Sequence, residues 1–315
     1  MTVALALLLG AWLVGHLVPR WLGRLDLCQV DPTPVIVAWL TSIAAALAAG
    51  VGAVIVLLLP NHGVVSDLAV LHHCRTALLH GLPPTLERVS GLLVSGLLLV
   101  VGLRITIVGL TEWRRRRRER RGQLAILRLA AEPDSSAANT LWLTHDRPLA
   151  FSIAGRPGVV FATKGLIRHL SPDGVGAVIA HERAHLAGRH HLLVAVTELL
   201  GKCLPIVPLL RQAPHAIREL VEIAADAHAE RLHGSDAVRS ALLTVSDDGA
   251  PRGALAMARD GIAVRLERLR RHASPDRYAA RAARCVLAAV VASTLPLAEV
   301  SLLLVTAVVA CMDTA

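Results

Sequence analysis

The residues best equipped for chemistry are His181-Glu182-Arg183-Ala184-His185. In a chain with 15 histidines among 315 residues, a His-Glu-x-x-His pattern is informative but not decisive, so its surroundings must decide. Ser171-Pro172-Asp173 supplies an N-cap, a proline at the first helical position and an acidic first turn. Together they predict a helix that runs from Val175 into the motif. On that helix His181 and His185 share one face about 6 Å apart, so both imidazoles can meet one metal ion. Glu182 is turned about 100° away, where it can approach a water at the metal without ligating it.

A tetrahedral catalytic zinc takes three protein ligands and leaves one position open. Residues 218–232, RELVEIAADAHAERL, are alanine-rich and predict a second helix on which Glu222 and Asp226 share a face. By spacing, Glu222 is a candidate third ligand, with Glu219 and His228 as rivals. His190 and His191 read as polar residues beyond the site. His215, Arg218 and His228 are candidate donors to an oxyanion. Upstream, residues 149–153 and 159–163 are short apolar runs around Ala154-Gly155-Arg156-Pro157-Gly158, which predicts a hairpin. Its edge can accept an extended peptide as an added strand. Residues 132–136, EPDSS, read as a loop.

These elements sit in an apolar chain: 54% hydrophobic, 3% aromatic, mean hydropathy +0.55. That excess predicts membrane spans at about 3–19, 35–59 and 89–110, and a fourth over 285–311. Arg20 and Arg24 follow the first run rather than precede it, which suits an uncleaved anchor and not a signal peptide. The run RRRRRERR at 114–121 abuts the third span and places its end in the cytoplasm, with both termini outside. The net charge of +9 then reports topology and attraction to anionic lipid, not direct binding of nucleic acid. Cys203 and Cys285 fall on the reducing side, while Cys28 and Cys74 fall on opposite sides and cannot pair. The outer-loop residues His62, His72, His73, Cys74 and His80 read as a solvated loop. Residues 192–210 are apolar but carry Glu198 and Lys202, which favours a core or membrane-reclining helix over a fifth span. Arg104 and Glu299 lie inside expected spans and are candidates to pair with one another.

The expected fold is therefore an α-helical membrane protein with four transmembrane helices and an α+β metalloprotease domain between the third and fourth. Residues 1–121 would form the membrane region with its Arg cluster, 122–283 the cytoplasmic zinc domain, and 284–315 the fourth span and a short outer tail.

HERAH followed by EIAAD (residues 222–226) resembles the gluzincin pattern His-Glu-x-x-His … Glu-x-x-x-Asp of integral-membrane metallopeptidases. Three spans, a zinc domain and a fourth span resemble the antirepressor peptidases of the BlaR/MecR type, with HtpX-like relatives. The resemblance implies Zn2+ held by His181, His185 and Glu222, Glu182 as catalytic base, and Asp226 as the carboxylate that orients a ligand histidine. It implies a zinc endopeptidase at the cytoplasmic face of the inner (plasma) membrane, cleaving a protein or peptide such as a BlaI-like transcriptional repressor in signal transduction. An HtpX-like protease for membrane-protein quality control and a non-catalytic signalling receptor or scaffold are the alternatives. A metal transporter is disfavoured, because the ligand set lies outside the spans. β-Lactam receptors carry a sensor domain after the fourth span and this sequence ends at Ala315, so antibiotic sensing by this chain alone is not expected.

Overall fold

The computed structural model describes residues 2–28, 30–58, 84–133, 139–249 and 255–270. Three long helices come first: α1 (Thr2–Leu22), α2 (Pro32–Leu58) and α3 (Pro84–Ala130). Within α2, Pro32–Val54 is long and apolar enough to cross a membrane, the one such segment among the described residues; α1 carries a shorter apolar run, Leu7–Leu22. Helix α3 holds the third expected span and the arginine run on one rod of 47 residues, about 70 Å long at 1.5 Å per residue. The expected boundary at residue 122 therefore falls inside a helix. The fourth expected span, with Glu299, Cys285 and Cys311, and the outer-loop histidines lie outside the described residues.

After α3 comes a four-stranded sheet of β1 (Ala131–Pro133), β2 (Thr140–Leu143), β3 (Ala150–Ile153) and β4 (Val159–Thr163), in the order β1-β2-β4-β3. The expected hairpin is present: β3 and β4 pair antiparallel, with Ser152 opposite Val160. Strands β1 and β2 were not expected. Glu132 and Pro133 belong to β1 and not to a loop, because the chain leaving α3 pairs antiparallel with β2, Glu132 opposite Trp142. Every residue of β4 is buried between its neighbours, which leaves β3 at an edge.

The rest is helical: α4 (Lys164–His169), α5 (Pro172–Ala187), α6 (His190–Cys203), α7 (Pro208–His233), α8 (Ser235–Gly249) and α9 (Leu255–Arg270). Helix α5 starts as the sequence predicts, with the Ser171 hydroxyl accepting from the Gly174 N–H at 3.2 Å and Pro172 in the first turn. The apolar stretch 192–210 is not one helix. Pro205 and Pro208 cannot continue the hydrogen-bond ladder, so α6 ends at Cys203 and α7 begins at Pro208. The two form a helical hairpin whose tip leaves Ile206 91% exposed.

Polar ties fasten this hairpin to α3. Arg116 pairs with Glu198, Lys202 pairs with Glu112, and Arg218 of α7 also reaches Glu198. Arg104 Nη2 donates to the Lys202 carbonyl at 3.1 Å. Lys202 lies in the last turn of α6, where carbonyls lack helical partners and carry partial negative charge. That contact gives Arg104 a described partner within its expected span.

The largest core unites the first helices with the hairpin. Val14, Leu22, Val35, Trp39 and Ile43 of α1 and α2 pack with Leu209, Leu210, Ala213, Ile217, Leu220 and Val221 of α7. Residues of the expected domain at 122–283 thus share a core with α1 and α2. Ile217 is fully buried there, so Ile217→Ala should cost about 2–5 kcal/mol of stability. Leu232 of the same helix is 62% exposed, and Leu232→Ala should change stability by less than about 0.5 kcal/mol. Denaturant unfolding of the full chain in detergent compares them; equal losses would show that the shared core does not form.

Candidate metal centre

Helices α5 and α7 bring the two motifs together. Ala177, Ala180 and Ala229 are buried between them, and such small side chains let the helix backbones approach. His181 and His185 leave α5 one turn apart, and Glu222 faces them from α7, with one ligand atom of each within 4.8 Å of the others. His181 Nε2 and His185 Nε2 are 3.1 Å apart, and each lies 3.5 Å from a different Glu222 oxygen. Zinc bonds of 2.0–2.1 Å in tetrahedral array have edges of about 3.3 Å. The three residues therefore fit one such ion.

The nitrogens pointing away from the cluster are also held. Asp226 Oδ1 lies 2.9 Å from His181 Nδ1, and His190 Nδ1 lies 3.0 Å from His185 Nδ1. Such partners fix ring orientation in metal sites. Asp226 is 4% exposed on its side chain and is held in turn by Arg265, from Nε to Oδ2 at 2.5 Å and from Nη2 to Oδ1 at 2.7 Å. Arg265 Nη1 also donates to Glu222 Oε2 at 3.2 Å.

The electrostatics suit a cation. Burial would lift the carboxyls of Glu222 and Asp226, but hydrogen bonding from His181 and the Arg265 charge outweigh it and hold both well below the usual range. Burial would lower His181, yet its hydrogen bonds to Asp226 and Glu222 raise it to about 9. His185 is driven by burial down to about 4, leaving its ring neutral as a ligand requires. Burial also raises the Glu182 carboxyl, which Ser152 hydrogen-bonds through its side chain and its backbone.

The rival residues are engaged elsewhere. Glu219 faces His215 at 3.5 Å on the surface, His228 lies 3.4 Å from Arg231, and Arg218 is spent on Glu198. None of the three oxyanion candidates makes a described contact to the metal-ligand cluster. His190 and His191, by contrast, belong to the site. Arg189 adopts a left-handed conformation (φ 50°) and turns the chain back as α6 begins. His190, 8% exposed, then comes to rest behind His185, and His191 Nε2 lies 3.4 Å from the Ser152 hydroxyl. Gly188 makes room, since a Cβ there would lie 2.3 Å from the His190 ring. Of the residues the motifs do not point to, Ser152 was within reach as part of an expected edge strand; His190, His191 and Arg265 depend on tertiary folding.

A helix-borne His-Glu-x-x-His with a carboxylate from a following helix defines a metallopeptidase-type centre. Residues 112–246, somewhat under half of the chain, match the model of peptidase family M48. That segment is similar to peptidase family M48, whose members are typically zinc-dependent. No solved structure matches the chain. Because His190 acts only behind His185, His190→Ala should leave one zinc per chain but weaken its affinity by roughly 10–100-fold. Competition with a chromophoric chelator measures this; unchanged affinity would remove His190 from the site.

Proposed function

We propose that this protein is a membrane-anchored zinc endopeptidase that cleaves proteins or peptides at the cytoplasmic membrane face. The observation that carries it is the convergence of His181, His185 and Glu222 with Glu182 beside them. A bound zinc would supply a Lewis acid that polarises the scissile carbonyl and acidifies water. His181, His185 and Glu222 would hold it, and Asp226 and His190 keep the two rings aligned. Glu182 takes a proton from the attacking water and passes it to the leaving amine. Its buried setting, which raises its carboxyl pKa, makes it a stronger base than a solvated glutamate.

Strand β3 gives the substrate a place. It is an edge of the sheet, its Ser152 touches Glu182, and an extended peptide paired along it would lie across the catalytic carboxyl. Membrane anchoring is supported by α2, by the apolar α1, and by exposed apolar residues of α1 and α3 such as Trp12, Leu17, Leu99 and Leu103. The arginine run supports a cytoplasmic site. By resemblance, the substrate is a BlaI-like transcriptional repressor and the role is signal transduction. One observation favours the second reading, an HtpX-like protease acting on membrane proteins: the exposed Ile206 tip packs beside α1, where a Cβ at Gly15 would lie 3.1 Å from Val207. An exposed apolar tip beside the apolar α1 suits contact with a bilayer and the proteins in it.

Glu182→Gln should lower peptide-bond cleavage by about 10²–10⁴-fold while zinc content stays at the wild-type level. If activity persists, Glu182 is not the base; if zinc is lost as well, the role assigned to it is wrong. Cellular N-terminal peptide profiling of wild type against Glu182→Gln then separates the readings. A repressor-derived terminus missing in the mutant supports signalling, termini from many membrane proteins support quality control, and identical profiles would point to a non-catalytic scaffold.

A further inference from the structure

Helix α9 reaches the centre from a part of the chain to which neither motif points. Arg265, 16% exposed on its side chain, grips both Asp226 oxygens at 2.5 and 2.7 Å and Glu222 Oε2 at 3.2 Å. One rigid, planar group thereby fixes the third ligand relative to the carboxylate behind His181. An arginine fork sets distance and angle together, which a point charge does not. Three residues on, Arg268 Nη1 donates to the carbonyls of Leu27 at 3.0 Å and Val30 at 2.7 Å, both in the turn between α1 and α2. In the same turn, Cys28 Sγ lies 3.9 Å from the Val264 carbonyl. Leu269, 5% exposed, joins the buried cluster of Ala177, Ala180 and Ala229 on α5 and α7. One short helix is thus fastened at once to the metal ligands, to the helices that carry them, and to the turn joining the first two helices.

We infer that α9 is a clasp, in which Arg265 is a positioning residue for the metal site and Arg268 makes that grip conditional on the α1–α2 turn. The inference rests on the zinc reading above. A movement of the turn that withdraws the Leu27 and Val30 carbonyls pulls on Arg268 and shifts Arg265 against Glu222 and Asp226. Events at the first two helices then reach the ligand set without passing through the substrate edge. Neither arginine needs to touch substrate for this.

The test uses the full chain in lipid nanodiscs, as wild type, Arg265→Lys and Arg268→Ala. Zinc affinity is read by chelator competition, and unfolding temperature with and without EDTA. Arg265→Lys keeps the positive charge but loses the fork, and should weaken zinc binding by roughly 10–100-fold. Arg268→Ala loses two hydrogen bonds at a distance and should weaken it by roughly three- to tenfold. A merely structural role would lower the unfolding temperature of the metal-free and zinc-loaded forms alike and leave zinc affinity unchanged; that result in Arg265→Lys overturns the clasp. Unchanged affinity in Arg268→Ala overturns the link to the turn. Should Arg268→Ala not fold, Arg268→Gln, which keeps one donor arm, makes the same comparison. If folded wild type takes up no zinc, the zinc reading falls and the clasp with it; if wild type binds and Arg265→Lys binds equally, the clasp alone falls.

Discussion

The arrangement depends on keeping three lone-pair donors pointed at one small volume inside a protein. Two imidazoles and a carboxylate so placed repel or bond one another unless a cation joins them, and burying them costs more still. The surrounding structure answers that cost. Asp226 and His190 tie down the outward ring nitrogens, and Arg265 neutralises part of the carboxylate charge. Hydrogen bonds to Asp226 and Glu222 raise the His181 pKa against the effect of burial. Small alanines between α5 and α7 keep the helix separation that the ligand spacing demands.

The site is asymmetric in how firmly its parts are held. The histidine side rests on a helix with a well-formed start, Ser171 and Pro172, and on a sheet edge through Ser152. Glu222 instead depends on the direction of α7, on Arg265, and on the packing of α7 against α1 and α2. No described residue of helix α3 belongs to that core, but ion pairs tie the helix to the hairpin, with Glu198 shared between Arg116 and Arg218.

Much of the site could be read in the sequence, because its key parts are local. His181 and His185 are one helical turn apart, Ser171 caps their helix, and Glu222 and Asp226 are likewise one turn apart; all follow from helical periodicity. The edge hairpin followed from two short apolar runs around a Gly/Pro turn. What was missed depends on long-range packing. His190 and His191 read as polar residues beyond the site, whereas the left-handed Arg189 folds them back over the motif. Arg265 is one of many arginines, and nothing in its neighbours marks it out; only the placement of α9 gives it Asp226. Strands β1 and β2 are three and four residues long and take their identity from pairing rather than from propensity.

Helix α7 has two owners. Its first half is a wall of the core built with α1 and α2, and its second half delivers Glu222 and Asp226. A fragment beginning after residue 121 would carry an intact pair of motifs but strip Leu209, Leu210, Ile217, Leu220 and Val221 of their partners on α1 and α2. Such a fragment would be sticky and poorly ordered at the very helix that completes the ligand set. The segment that carries both motifs is thus not a portable module by its sequence boundaries, because α7 keeps its surroundings only when the first two helices come with it.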